Sequence, residues 1–592
     1  MIGKVNNHAI NSGKFAALPG RLKKIQLMIK QFRFACSTFL FSLIVVSVIH
    51  TPGMGQDLPD YDLAGARKPN PELRFKKEKQ YKKVHQNSLR LILRSTDENK
   101  NLARVEEFLN EFLQRNPHDG ETLYMLGILE GHRGEIAKAE ALMKSAIEKG
   151  LPDDRLVAGP RELIEPLAQT DLIKSLKEKY ARQLVHGPLL GNVTGSSAAF
   201  WARTATECDF QVVVLDEKGN EVARSEPVRS DSQQDFTAVA NVEGLQPNTD
   251  YRYRILLDDV PATGGNDNGE FQFHTLAGKG QATSFSIAFG GGSGFVPDNE
   301  RMWNTIGDQD PDAILLLGDN VYIDDPESLV MQQYTYQRRQ SRPEWRKLTA
   351  RSPVFTIWDD HDFGCDDCWG GPQIEKPFWK RDWVFPTFRQ NWANPGYGGG
   401  DEQPGCWYDF QIGDVDFIML DCRYYRTDPK SESPSMLGEV QLAWLKLKLA
   451  AATGTFKVVC SSVPWDFRTK GDSTDTWNGY RDEHEEILGF IDSENISGVV
   501  LMSADRHRSD AWKISRPNGY DLYEFNSSRL TNQHVHPTME KRGAIFSYNA
   551  LQSFGLVKFD TTLADPSVTY EVVNIDGEKP HTITVKLSEL RK

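Results

Sequence analysis

The acids and imidazole of Asp359-Asp360-His361-Asp362 directly follow the apolar and β-branched residues Val354-Phe355-Thr356-Ile357. A short apolar run without alternation predicts a strand buried on both faces, as in the middle of an α/β sheet. Such sheets take their ligands just beyond the carboxyl ends of the strands. Three carboxylates and an imidazole at that position repel one another unless positive charge sits among them. A bound cation supplies it, because hard and borderline metals accept Asp and His as ligands. A solvated acidic turn is the other reading, and these residues alone do not separate the two.

The same layout recurs along the chain. Residues 285–289 lead to Gly290-Gly291-Gly292-Ser293-Gly294, and 313–317 to Gly318-Asp319-Asn320-Val321-Tyr322. Residues 415–420 lead to Asp421-Cys422-Arg423-Tyr424-Tyr425-Arg426, 455–460 to Ser461-Ser462-Val463-Pro464-Trp465, and 499–502 to Ser503-Ala504-Asp505-Arg506-His507. Helical segments such as 438–450 fall between some of these runs. Buried strands that each bring an acid or a histidine to one edge predict a metal site assembled from sequence-distant loops. Residues 520–525 and 567–575 read as further strands that complete the sheet. Asn532, His534 and His536 form a polar cluster on a loop, read as surface in preference to site lining.

A chain of 592 residues, 39% hydrophobic and 26% charged, has the composition of a soluble globular protein and predicts about three or four domains. Its formal charge of -13 argues against a general nucleic-acid binder, which presents a basic face. A small phosphorylated substrate stays open, since a metal cluster dominates the field of its own site. Residues 1–56 read as an export signal: Arg21, Lys23, Lys24, Lys30 and Arg33 precede an apolar run over 35–49 and then Thr51-Pro52-Gly53. The protein is therefore expected in the periplasm or outside the cell, membrane-anchored if the leader is retained, with no further membrane segment. Residues 57–83 read as a linker rich in Pro, Lys, Arg and Asp, and 84–185 as helical. Within the helical part, 120–152 resembles a tetratricopeptide repeat, with Leu123, Leu126, Gly127, Ala139, Met143 and Ala146 at its packing positions. A protein partner for that repeat is one reading and a plain helical spacer the other. Residues 186–277 alternate with period two and predict a fibronectin-like β-sandwich, Gly244 to Tyr251 resembling its tyrosine corner. Residues 278–592 hold the strands that carry chemistry. Cys365 and Cys368 have no second cysteine pair at ligand spacing, so a disulfide or free thiols are expected there in preference to zinc.

Five segments in this order resemble the alkaline phosphatase D (PhoD-like) branch of the calcineurin-like metallophosphoesterases over residues 184–559. They are Leu317-Gly318-Asp319-Asn320-Val321-Tyr322, Trp358 to Asp362, Leu420 to Arg426, Asp475 to Tyr480, and Ser503 to His507. The resemblance implies an α/β fold, a two-sheet β core flanked by helices, with ferric iron and calcium at the strand ends. It implies Asp319 as the bridging ligand, Tyr322 as a phenolate ligand, Asp360 where the wider superfamily usually has Asn, and Asp505 and His507 as the last ligands. It also implies His361 as the proton donor beside the phosphate, with Asn320 and Asp359 lining the substrate. A hydroxide held between two cations would attack a phosphate monoester or diester. Position and charge suggest Arg423 as a holder of a phosphoryl oxygen, with a structural ion pair as the alternative. Two departures stand out: Gly292 occupies the place of the usual iron-binding Cys, and Ala504 precedes Asp505 where Gly is usual. The first leaves the metal identity open. The expected function is a metal-dependent phosphoric ester hydrolase. The alternative is a catalytically degenerate fold serving as a repeat-bearing scaffold. Sulfate ester hydrolysis ranks last, because the chain lacks a Cys-x-Pro-x-Arg motif.

Overall fold

A computed structural model describes residues 81–94, 100–264 and 269–592. The predicted leader and residues 57–80 of the predicted linker lie outside the described residues. The linker's last three residues are helical, since the helix Tyr81–Leu93 takes them in. Among the described residues no helix is long and apolar enough to cross a membrane.

The helical segment contains Tyr81–Leu93, Lys100–Arg115, Gly120–His132, Ile136–Glu148 and, after two single turns, Asp171–Tyr180. Asp119 starts the third of these helices by accepting the backbone N–H groups of Glu121 and Thr122, which otherwise lack an intrahelical partner. The helices Gly120–His132 and Ile136–Glu148 form a hairpin closed at Gly127, where an added Cβ would stand 2.8 Å from Met143 Cε. The helix Tyr81–Leu93 is unusual in burying His85, Gln86, Asn87, Ser88 and Arg90. It lies against the chain that follows the strand Ala313–Leu317. Gln86 donates its amide to the Tyr322 carbonyl, and Arg90 Nη2 donates to the Ile323 carbonyl at 2.5 Å. Arg90 Nε stands 3.3 Å from Asp325.

Residues 186–274 form two antiparallel sheets. One contains His186–Gly191, Ser197–Arg203 and Thr237–Glu243; the other is centred on Cys208–Leu215 and Asp250–Leu257. Alternating side chains meet between them, Phe200 lying 4.8 Å from Tyr253 and 5.5 Å from Phe273. The Tyr251 hydroxyl accepts the Gln246 N–H at 3.0 Å, and the Tyr253 hydroxyl reaches out to donate to the Ala350 carbonyl at 2.6 Å.

Two larger sheets follow. The six-stranded sheet runs Val354–Ile357, Ala313–Leu317, Ser284–Gly290, Ser553–Asp560, Ser567–Asn574 and His581–Lys586, with its first three strands parallel. The seven-stranded sheet runs Tyr408–Ile412, Val415–Met419, Phe456–Cys460, Val499–Ser503, Leu522–Ser527, Ser509–Ile514 and Phe546–Tyr548. Its strands are parallel from Val415–Met419 to Leu522–Ser527. Aromatic side chains join the two sheets, among them Phe285 with Phe417 and Phe525 with Tyr570. Ala313–Leu317, Phe456–Cys460 and Val499–Ser503 are buried at every residue, as apolar runs covered on both faces must be. Parallel strands end on the same side, so each sheet gathers its polar loops at one edge.

Candidate metal centre

The loop after Ala313–Leu317 is shaped by the loop after Val354–Ile357. Leu317 pairs with Ile357, so the two chains leave the sheet side by side. Gly318 makes this approach feasible: its φ is +102°, and a Cβ would fall 2.5 Å from the Asp359 Cβ. The buried Asp362 carboxylate then gathers three backbone N–H groups, from Val321 at 2.8 Å, Asp359 at 3.1 Å and Asn320 at 3.2 Å. Asn320 adds a bond from its amide to the Ile357 carbonyl at 2.8 Å. These bonds hold Asp319 in the left-handed region, at φ +54°, which a non-glycine residue enters only under constraint.

Asp319 is buried. Its Oδ2 accepts the Tyr322 hydroxyl at 2.9 Å, while its buried Oδ1 has no hydrogen-bond partner. Asp319, Asp360 and His361 each offer a ligand atom within 4.8 Å of the others. Burial pushes the Asp319 carboxyl well above the usual range, and Asp360, Asp359 and Asp362 push it the same way against the opposing His361. Tyr322 is likewise pushed up by burial and by Asp319. An orphaned buried carboxylate oxygen, a second carboxylate and a phenol make up a donor set suited to a hard cation, whose charge would offset this repulsion.

His361 is oriented by a carboxylate that sequence reading missed. Its Nδ1 bonds to Asp324, which leaves Nε2 toward the partly open side, 4.0 Å from Asp366. Burial would lower the imidazole, but Asp324, Asp360 and Asp319 outweigh it and hold its pKa well above the ordinary value. Asp324 had a weak signal, as one of two acids directly after Tyr322-Ile323.

Arg423 is fully buried and committed to protein groups. Nε donates to Asp359 at 2.6 Å, and Nη1 donates to Asp475 at 2.8 Å and to the Cys368 carbonyl at 3.1 Å. Nη2 reaches the second Asp475 oxygen at 3.3 Å. Asp359 also accepts the Ser462 hydroxyl at 2.8 Å, so this pair ties the two sheets' loops together. Arg426 shares Asp475 at 2.8 Å. The chain of charge continues through Lys470, which no spacing pattern marks: its Nζ lies 2.8 Å from Asp475 and 3.2 Å from Asp505. Burial would raise the Asp505 carboxyl, but Lys470 and Arg506 hold it below the usual range. Asp505 and His507 both have positive φ, +66° and +48°, at the end of Val499–Ser503.

In the loop of Asn532, His534 and His536 the surface reading holds for the exposed His534 and fails for Asn532. Asn532 is buried and donates its amide to the Tyr322 hydroxyl at 2.7 Å. The His534 and His536 rings lie 4.9 and 5.6 Å from the His507 ring. Gly292 is the contact point for this loop. Its φ is +72°, a Cβ would meet the Arg529 nitrogen at 2.9 Å, and its carbonyl accepts the Asn532 N–H at 3.2 Å. No side chain fits there without displacing the loop. Cys365 and Cys368 are buried free thiols.

Residues 287–563 match the model of the PhoD-like phosphatase family, and residues 181–273 that of a domain of unknown function (DUF7800). Alkaline phosphatase D of Bacillus subtilis (strain 168) is 24% identical over 313 residues, covering 45% of this chain and 52% of the relative. The chain thus spans about half the length of that curated relative. A solved structure of PhoD superposes with a TM-score of 0.57 at 17% identity, covering 68% of this chain and 91% of the other. A purple acid phosphatase from yellow lupin (Lupinus luteus) seeds gives 0.49 at 13% identity, with 68% and 75% covered. The two loops that bring Asp319, Tyr322, Asp360 and His361 together thus lie within residues 287–563, the segment that matches the PhoD-like phosphatase family model.

Proposed function

We propose that the protein is a metal-dependent phosphoric ester hydrolase. The observation that carries this reading is the Asp319 carboxylate, buried beside Tyr322, Asp360 and His361 with one oxygen lacking any donor. Asp319, Tyr322 and Asp360 would hold metal, with Asp505 and His507 supplied by the second sheet; ferric iron and calcium are the proposed ions. A bound metal pair supplies charge neutralisation for the phosphoryl oxygens and an acidified water as nucleophile. The chain's own residues do the rest. Tyr322 is held between Asp319 and Asn532, so its oxygen is aimed by two hydrogen bonds. Asp324 occupies His361 Nδ1, which leaves Nε2 to hand a proton to the departing alkoxide. Arg423 fixes Asp359 from behind and acts as a positioning residue in this geometry, in place of direct contact with a phosphoryl oxygen.

The helix Tyr81–Leu93 turns its polar residues inward onto the Tyr322 loop, which favours a buttress within the chain as the role of the helical segment. The basic and apolar residues of the leader support action outside the cytoplasm. Metal analysis of the purified protein, paired with hydrolysis of aryl phosphate monoesters and diesters, tests the reading. Bound metal and hydrolysis are expected in the wild type, and both should be lost in Asp319→Ala. A reconstituted wild type with neither metal nor hydrolysis would overturn it.

A further inference from the structure

A cavity of about 410 Å³ lies between the helical segment and the α/β domain, and none of the proposed metal ligands lines it. Its volume falls in the range of small-molecule sites. Arg338, on the helix Leu329–Gln340, lines it and is 1% exposed. Its guanidinium rests on Phe295 at 4.6 Å and Tyr334 at 5.0 Å. The one hydrogen bond it makes among the described residues runs from Nη1 to the Tyr334 hydroxyl at 3.2 Å, and Nε is buried without a partner. No carboxylate of the described residues lies within ion-pair distance of it.

Of the acids that line the cavity, Asp298 is exposed at its rim, and the two on the helical segment are already engaged. Glu121 takes both Nη atoms of the buried Arg155, at 3.0 and 3.1 Å, and the Tyr334 hydroxyl at 2.6 Å. Asp119 accepts the Tyr81 hydroxyl at 2.7 Å as well as the helix N–H groups. Two buried guanidiniums thus share one buried carboxylate, and Lys149 on the lining adds a charge whose contact is His118, at 3.4 Å. A buried cation whose nearest carboxylate is committed to another guanidinium is poorly compensated, and its remaining N–H donors suit phosphate or carboxylate oxygens.

We propose that this cavity binds a small ligand through an oxyanion, a phosphate or a carboxylate group, with Arg338 as its main counter-charge and Lys149 at its rim. The site is independent of the metal centre, although it borders that centre's loops. Gln533, which lines it, accepts the Tyr81 N–H at 3.1 Å and follows Asn532, while Phe295 follows the glycine-rich loop.

Calorimetric titration of the full chain carrying Asp319→Ala, which disables the metal centre, tests the proposal with inorganic phosphate and with succinate as probes. Saturable binding of at least one probe at one site per chain is expected. Preference for phosphate would identify free phosphate as the source of the anion, and preference for succinate a carboxylate metabolite. Adding Arg338→Met should weaken binding about tenfold or more. If that variant does not fold, Lys149→Ala, at an exposed position, decides the matter: weaker binding supports the site and unchanged binding overturns it. Absence of binding by both probes at millimolar concentration, or unchanged affinity in folded Arg338→Met, also overturns it. Neither result bears on the hydrolase reading, which is tested by metal and turnover.

Discussion

At the scale of single residues, Asp324 shows how little of a site is visible in its ligands. It touches no proposed metal ligand, yet it holds the Nδ1 of His361 and so decides which ring nitrogen faces outward. Partners of this kind typically contribute about ten- to a hundredfold. Asp324→Asn should therefore lower kcat by about that factor. The loss should be larger for an alkyl phosphate, which needs its leaving oxygen protonated, than for an aryl phosphate with an acidic leaving group. Equal losses on the two substrates would show that Asp324 acts on something other than proton delivery. His361→Gln should lose about a hundred- to ten-thousandfold on the alkyl substrate, with metal content retained.

At the scale of elements, two turns are held by specific chemistry. Gly318 lets the chains after Leu317 and Ile357 run side by side, and Gly318→Ala would drive a Cβ to 2.5 Å from the Asp359 Cβ at φ +102°. That combination of clash and backbone strain should cost more than about 2 kcal/mol and lower metal content, as read by denaturant midpoint and elemental analysis. The other turn starts the helix Gly120–His132. Burial would raise the Asp119 carboxyl, but hydrogen bonds from His85, Tyr81 and Thr122 hold it down at about 2. Its folded pKa lies below the unfolded one, so its stabilisation is present above the unfolded value and is lost as pH falls through the folded one. The shift corresponds to about 2 kcal/mol. Asp119→Ala should therefore be destabilised by about that amount near neutral pH, with loss of the cap included. The gap to wild type in urea midpoint should narrow as the pH falls from about 4 toward 2.

At the scale of the whole molecule, the helical segment braces the loop that carries Tyr322. Gln86 and Arg90 hold the carbonyls of Tyr322 and Ile323, and Arg90 pairs with the buried Asp325 at 3.3 Å. Removing Arg90 leaves Asp325 with the exposed Arg94 alone, at 3.0 Å, and the Ile323 carbonyl without its donor, at a cost of about 1–3 kcal/mol. Arg90→Met should show a loss of this size in equilibrium unfolding and should weaken metal retention, although no proposed ligand is altered. Normal metal content and turnover in Arg90→Met would show that the helix merely adjoins the domain.

Buried parallel strands were legible in the sequence because a strand covered on both faces must be apolar at every position, so each run ends abruptly where its loop begins. Asp319, Asp360 and His361 stand at such ends and could be named from local spacing, whereas the part given to Tyr322 came from the family resemblance. The contacts that aim them could not. Asn532 meets Tyr322 across 210 residues and Gln86 meets it across 236, and no periodicity or spacing rule relates positions so far apart. Lys470 between Asp475 and Asp505, Arg423 sealed against Asp359, and the excess charge of Arg338 are likewise products of packing. Charge and residue type were written in the chain, but whether a charge is paired, orphaned or exposed depends on which distant surfaces close over it.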